Sequence, residues 1–102
     1  MIHVIAAIEI SPGKRDQFLD IFRQLVPKVQ AEDGCIEYGP AVDCPTDIEL
    51  QEPVRENVVT VIEKWESVEA LKKHLAAPHM EEYRQAVQDL VTGVQIYILE
   101  PA

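Results

Sequence analysis

The chain has 102 residues, with 9 Lys and Arg against 18 Asp and Glu, a net charge of −9 at pH 7 and 47% hydrophobic residues. This length predicts one domain over residues 1–102, and the negative field excludes nucleic acid and anionic membrane surfaces as expected partners. No stretch approaches the roughly 20 apolar residues of a membrane span. The opening segment also lacks the features of a signal peptide, so we expect a cytoplasmic protein.

The first predicted elements are a strand and a helix. Residues 2–10 alternate with period two, which predicts a strand whose even positions are apolar and whose odd positions are half apolar. A sheet face of that second kind is expected to be covered by something. Ser11 and Pro12 predict the start of a helix, and Pro27 predicts a kink or a restart late in it.

Two further strands flank a long polar connection. Residues 35–42 predict the second strand, where Pro40 indicates an edge position or a bulge. Residues 43–57 have no apolar period and predict a connecting loop, of the kind that often covers a functional site. Residues 58–65 are rich in β-branched side chains and predict the third strand.

The last third predicts two helices and a strand. Ser67 is the expected cap of a helix on which Val68, Leu71 and Leu75 recur, and Pro78 is expected to begin the next helix. Gly93 is the expected end of that helix, before a final strand over residues 94–99.

This order of elements predicts an α+β fold, the ferredoxin-like split βαβ arrangement with a four-stranded antiparallel sheet. Both helical layers then lie on one face of the sheet, and the opposite face stays bare in a monomer. Covering a few hundred square ångströms of apolar surface contributes several kcal/mol at about 25 cal/mol per Å². We therefore predict a homodimer that forms through the sheet face.

Metal and nucleophilic sites are not expected from the residue spacing. His74 and His79 are five residues apart, which turns their rings about 140° from each other around a helix, and Pro78 interrupts that helix. Cys35 and Cys44 match no zinc spacing and are expected to be free thiols. No nucleophile elbow or glycine-rich phosphate loop is present, so neither a metal nor a cofactor is predicted.

Proton transfer in an apolar pocket is the chemistry that the residues favour. His74 lies on the helix of Leu71 and Leu75, where its ring is expected at the crevice between helix and sheet and is suited to act as a base. The alternative is that His74 is a partly exposed helix residue. A tryptophan such as Trp65 is more often a core residue than a pocket wall, and Tyr38, Tyr83 and Tyr97 are also compatible with packing.

Three segments resemble the antibiotic-biosynthesis monooxygenase domain: IHVIAAIEISPGKRDQFLDIF, EDGCIEY and VIEKWESVEALKKHLAAPHMEEY. The most specific part is a run that contains Glu63, Trp65, Ser67, His74 and His79. The resemblance implies a dimeric α/β-barrel with a pocket between sheet and helices. In the quinol-monooxygenase-like branch, it also implies oxidation of a hydroquinone or anthrol by O₂ without flavin, haem or metal.

The resemblance also implies roles for individual residues. His74 would accept the phenolic proton, Trp65 would shape the pocket, and Asn57 would donate to the developing oxyanion. The expected substrate-binding residues are Tyr38, Tyr83, Glu63 and His79. The expected partners are thus a small aromatic substrate and O₂.

Two alternatives stay open beside the oxygenase. One is a small-molecule isomerase of the same fold, since a branch with that activity shares the pair Pro78 and His79. Its phosphorylated substrate is disfavoured by the charge of −9. The other alternative is binding of a small hydrophobic ligand without catalysis.

Overall fold

The computed structural model describes all of residues 1–102 and has seven regular elements. The strands are β1 (Ile2–Ile10), β2 (Cys35–Ala41), β3 (Val58–Trp65) and β4 (Val91–Leu99). The helices are α1 (Arg15–Gln30), α2 (Val68–Leu75) and α3 (Pro78–Val87). The strands form one sheet in the order β2-β3-β1-β4, and every neighbouring pair is antiparallel. This confirms the predicted ferredoxin-like α+β fold.

The core lies between the helices and one face of the sheet. Alternate residues of β1 from Val4 to Ile10 point into it and are buried, as the period-two pattern predicts. From the helical side, α1 contributes Phe18 and Phe22, whose rings stack with centroids 5.7 Å apart. No helix is long and apolar enough to cross a membrane.

Helix α1 begins later than predicted, and it does not restart at Pro27. It begins at Arg15, with Lys14 in the capping position, because Ser11 to Gly13 form a turn in which Gly13 has a φ of 80°. The expected cap at Ser11 is therefore wrong. Pro27 lies inside the helix, which continues to Gln30, since the buried side chains on both sides of the proline hold the helical path.

The final strand begins earlier than predicted. Helix α3 ends at Val87 and β4 begins at Val91, so Gly93 lies within the strand and does not end the helix. A Cβ atom at Gly93 would lie 2.7 Å from Oε2 of Glu9 on the neighbouring strand. The atom it would meet is the end of a flexible, exposed side chain, so glycine here spares a movement of Glu9 and does not stop the helix.

Strand β2 is an edge strand with a register shift between Cys35 and Glu37, as the proline in it indicates. The connection from residue 42 to 57 contains no helix or strand. Its two ends are joined by Arg55, whose guanidinium donates to both carboxylate oxygens of Asp43 at 2.8 Å.

The sheet face that lies opposite the helices, here called the outer face, is apolar and uncovered. Ile5 of β1 pairs with Ile62 of β3 and Tyr97 of β4, so all three share this face. Ile62, Tyr97 and Leu99 are 40%, 60% and 47% exposed. The expected apolar second face is therefore present, although the chain itself supplies nothing to cover it.

Candidate functional site

The reactive side chains gather at one end of the helix-covered face. The sheet register places Tyr38 of β2 beside Glu63 of β3, and it places Trp65 two residues further along the same face. His74 from α2 lies against them, and all four side chains are buried. Two buried residues with titratable polar groups, Glu63 and His74, are thus brought to one point in an otherwise apolar core.

Helix α2 positions His74. The hydroxyl of Ser67 accepts a hydrogen bond from the Ala70 amide at 3.1 Å, which starts the helix at the predicted residue. Leu71 and His74, three residues apart, then face the sheet, whereas Val68 and Leu75 are 39% and 41% exposed. The buried side of α2 therefore includes the histidine, and the alternative of a partly exposed helix residue is wrong.

The imidazole of His74 is held between two aromatic rings. Its centroid lies 4.6 Å from that of Trp65, and 5.4 Å from that of Tyr38 in an edge-to-face arrangement. Burial lowers the pKa of His74, while the hydrogen bond and the charge of Glu32 act to raise it. The net direction of the pKa is downward, which favours the neutral ring.

Glu32 completes the site, and the sequence analysis did not identify it. Its Oε2 atom lies 2.9 Å from Nδ1 of His74 and 2.7 Å from Nε2 of His79. Because a carboxylate only accepts hydrogen bonds, Nδ1 of His74 carries the proton and Nε2 of the neutral ring keeps its lone pair. Glu32 lies within the segment EDGCIEY, which was the only available signal, since its partner is 42 residues away in the chain.

His79 reaches the same carboxylate, so the expected separation of the two histidine rings is wrong. Helix α2 ends at Leu75, and Ala77 has an extended backbone with ψ of 143° before α3 begins at Pro78. The chain changes direction there, and the ring positions no longer follow the geometry of a single helix. The donor atoms of Glu32, His74 and His79 all lie within 4.8 Å of one another.

Glu63 is a second buried titratable group. Its Oε1 atom accepts a hydrogen bond from the indole N–H of Trp65 at 2.9 Å. Burial raises the pKa of Glu63 to about 7, with a further contribution from the charge of Glu32 and opposition from the indole hydrogen bond. A carboxyl group with this pKa exchanges a proton near neutral pH.

Asn57 lies far from the cluster, and Tyr83 is connected to it through other aromatic rings. Asn57 precedes the first residue of β3, and Trp65 is the last, which separates them by roughly 25 Å at 3.3 Å per residue. The Asn57 carbonyl accepts from the Ile10 amide at 2.8 Å. Tyr83 of α3 contacts Phe22, with ring centroids 5.6 Å apart, and Phe22 in turn stacks on Tyr38.

Three cavities border this cluster. One of about 520 Å³ lies beside Tyr38 along β2, and one of about 160 Å³ lies between α1 and α3 beside His79 and Tyr83. The third, of about 280 Å³, is mainly apolar and lies where Tyr83 approaches β4. Neither His74 nor Trp65 lines any of the three, since their rings pack against each other. A ligand therefore approaches past Tyr38, Tyr83 or His79.

Comparisons with known proteins agree with this architecture. The family model described as antibiotic biosynthesis monooxygenase matches residues 1–86. "Probable quinol monooxygenase YgiN" of Escherichia coli (strain K12) is 42% identical over 103 residues, which cover 99% of this chain and 98% of YgiN. YcnE of Bacillus subtilis (strain 168) is 30% identical over 94 residues, covering 91% and 88%. The crystal structure of PA3566 from Pseudomonas aeruginosa superposes with a TM-score of 0.81 at 25% identity, covering 99% and 93%.

Proposed function

The chain belongs to the antibiotic biosynthesis monooxygenase family, and on that premise we propose that it oxidises a small aromatic hydroquinone or phenol with O₂, without a bound cofactor. The observation that carries the proposal is the buried imidazole of His74, whose Nδ1 atom lies 2.9 Å from Oε2 of Glu32. The name of the relative YgiN supports the same substrate class.

His74 is the proposed base. Because His74 lines none of the cavities, a substrate reaches it when a bordering side chain such as Tyr38 or Tyr83 moves aside. The Nε2 lone pair then accepts the proton of the phenolic hydroxyl, and the Nδ1–H bond to Glu32 stabilises the imidazolium that forms. Trp65 and Tyr38 hold the ring from two sides, which keeps the acceptor atom in place. General base catalysis of this kind contributes about 10²- to 10⁴-fold.

The deprotonated ring then supplies the electrons. A phenolate transfers one electron to O₂, and the resulting phenoxyl radical and superoxide combine at a ring carbon that bears hydrogen. The hydroperoxide loses water, so one oxygen atom of O₂ enters the ring, the other leaves as water, and the product is a quinone. Exclusion of bulk water keeps the radical pair together.

The proton that His74 accepts returns to the product side of the reaction. The imidazolium donates it to the peroxide oxygen that leaves as water, so no proton is lost to solvent. Glu32 holds His74 from one side and His79, whose side chain is 22% exposed, from the other, and both rings donate to it. Glu63, with its pKa of about 7, is the proposed second polar contact for a substrate that enters beside Tyr38.

The proposed assembly is a homodimer that packs outer face on outer face. This arrangement buries Ile62, Tyr97 and Leu99, which the single chain leaves exposed. Full burial of a side chain of this size contributes about 1.5–3 kcal/mol. Because these side chains are already about half buried and association itself costs several kcal/mol, a stable pair requires burial of the whole apolar face.

Oxygen consumption tests the proposed activity. The protein is incubated in chelator-treated, flavin-free buffer with a panel of hydroquinones, naphthols and anthrols, and the products from ¹⁸O₂ are analysed by mass spectrometry. We expect consumption above the uncatalysed rate and one ¹⁸O atom in the quinone. Absence of both across the panel would overturn the oxygenase and leave the isomerase or a purely binding function.

A further inference from the structure

We propose that Glu32, His74 and His79 form a binding site for a divalent transition-metal ion such as Zn²⁺. The three side chains come from the turn after α1, from α2 and from α3. Each directs one donor atom at the same point, and these atoms all lie within 4.8 Å of one another. The inference concerns the resting protein, and the bound ion would oppose quinol oxidation, because it occupies Nδ1 of His74 and moves the proton to Nε2, the proposed base.

The donor set matches the preferences of these ions. Two imidazole nitrogens and one carboxylate oxygen are the ligands of many catalytic zinc sites and of non-haem iron sites, which keep further positions open. Mg²⁺ and Ca²⁺ prefer oxygen ligands, so two imidazoles select against them.

Binding of an ion requires a local rearrangement of the cluster. At metal–ligand distances of roughly 2.1 Å, two tetrahedral ligands lie about 3.4 Å apart. The carboxylate oxygen is 2.9 Å from Nδ1 of His74 and 2.7 Å from Nε2 of His79, so it must move away from both rings. The two ring nitrogens lie within 4.8 Å of each other and must come closer together, which a rotation of the partly exposed His79 side chain allows.

Binding of the ion releases no proton from the two histidine rings to the solvent. In the metal-free cluster, the hydrogens on Nδ1 of His74 and Nε2 of His79 point at Glu32. When an ion replaces those hydrogen bonds, each neutral ring moves its proton to its other nitrogen and offers the vacated lone pair. No oxidant or other reactant is needed.

The surroundings favour capture of a cation. The packing of His74 against Trp65 and Tyr38 fixes one ligand. The side chains of Glu32 and His79 are 13% and 22% exposed, so the ion enters from their side and binds water at the open position. The net charge of −9 attracts cations to the whole molecule.

Isothermal titration of the chelator-treated protein with Zn²⁺ tests the proposal, in a background where Cys35 and Cys44 are both serine so that thiols do not contribute. We expect one ion bound per chain and a Co²⁺ form with the visible absorption of a four-coordinate site. Binding to the folded state alone also raises the Tm. The affinity is measured without any turnover, so its outcome is separate from that of the oxygenase assay.

The matched variants are His79→Gln and His3→Gln, because His3 lies on β1 outside the cluster. We expect His79→Gln to weaken Zn²⁺ binding by at least about tenfold, since even indirect partners of metal ligands contribute that much, and His3→Gln to have no effect. Glu32→Gln serves as a second ligand variant, and circular dichroism checks that each variant folds. Equal affinities of wild type and both ligand variants, or no binding by the wild type, would overturn the site.

Discussion

The helix-covered face and the outer face of the sheet differ in the kinds of side chain that they bury and expose. The helix-covered face buries an imidazole and a carboxyl group, and each of them has a hydrogen-bond partner. The outer face has no such buried polar groups, and its apolar side chains remain exposed. On the helix-covered face, apolar side chains are exposed at the edge strand β4, at Val94, Ile96 and Ile98. Burial of titratable groups opposes folding, so their retention indicates chemistry on the covered face. The exposed apolar side chains of the outer face indicate that a partner covers it.

The largest expected effect is on the outer face. Ile62→Glu places a charge where the proposed dimer is dry, once in each subunit, so association should weaken by about 10²- to 10⁴-fold. Sedimentation velocity measures it. The matched control is Val68→Glu on α2, because Val68 is 39% exposed and Ile62 is 40% exposed. A wild-type protein that is already monomeric at micromolar concentration would contradict the assigned role of this face.

The next effect concerns the buried carboxyl group of the covered face. Folding raises the pKa of Glu63 from 4.5 to about 7, so the folded state binds the proton more tightly and loses stability as pH rises between those values. The loss is on the order of 3 kcal/mol.

Glu63→Gln retains an oxygen that accepts from the indole of Trp65 and should remove this pH dependence. Urea unfolding of both proteins between pH 4.5 and 8 measures the difference in slope. Glu66→Gln, at an exposed position of the same segment, is the control and should follow the wild type. Parallel curves for wild type and Glu63→Gln would show that Glu63 titrates as if in water.

A smaller effect is expected at Glu32, a positioning residue. Glu32→Gln removes the charge that fixes the tautomer of His74, so kcat for a quinol should fall by about tenfold or more. Glu32 also raises the pKa of His74, so the acid limb of the pH–rate profile should move to lower pH in the variant. A lower rate with an unmoved profile would indicate a merely structural role.

The smallest effect concerns the helix that carries His74. Ser67→Ala removes the hydroxyl that caps α2 and should lower the free energy of unfolding by about 1 kcal/mol. Thermal unfolding measures the change. Ser11→Ala is the matched control, because Ser11 does not cap α1. Equal losses in the two variants would contradict the capping assignment.

Local patterns predicted most of the fold, because strand alternation, the cap at Ser67 and the helix start at Pro78 depend on a few neighbouring residues. The same kind of signal was wrong at Ser11, where a turn delays the start of α1. The covered site was predicted only in part. Trp65 and His74 come together as the motif implies, but Glu32 reaches His74 through a contact between distant segments that no local period encodes. The predicted place of Asn57 in the site and the predicted separation of His74 and His79 were wrong for the same reason. The length of β3 decides where Asn57 lies, and the change of direction between α2 and α3 decides where the two histidines lie.

The most direct test of a catalytic role for the helix-covered face compares variants of two histidines in one assay. Oxygen consumption with a quinol substrate is measured for the wild type, for His74→Ala on the covered face and for His3→Ala on the strand β1, with folding checked by circular dichroism. We expect the rate of His74→Ala to be at least about 100-fold below that of the wild type, and His3→Ala to keep the wild-type rate. Equal rates for all three proteins would contradict a catalytic role of the covered face.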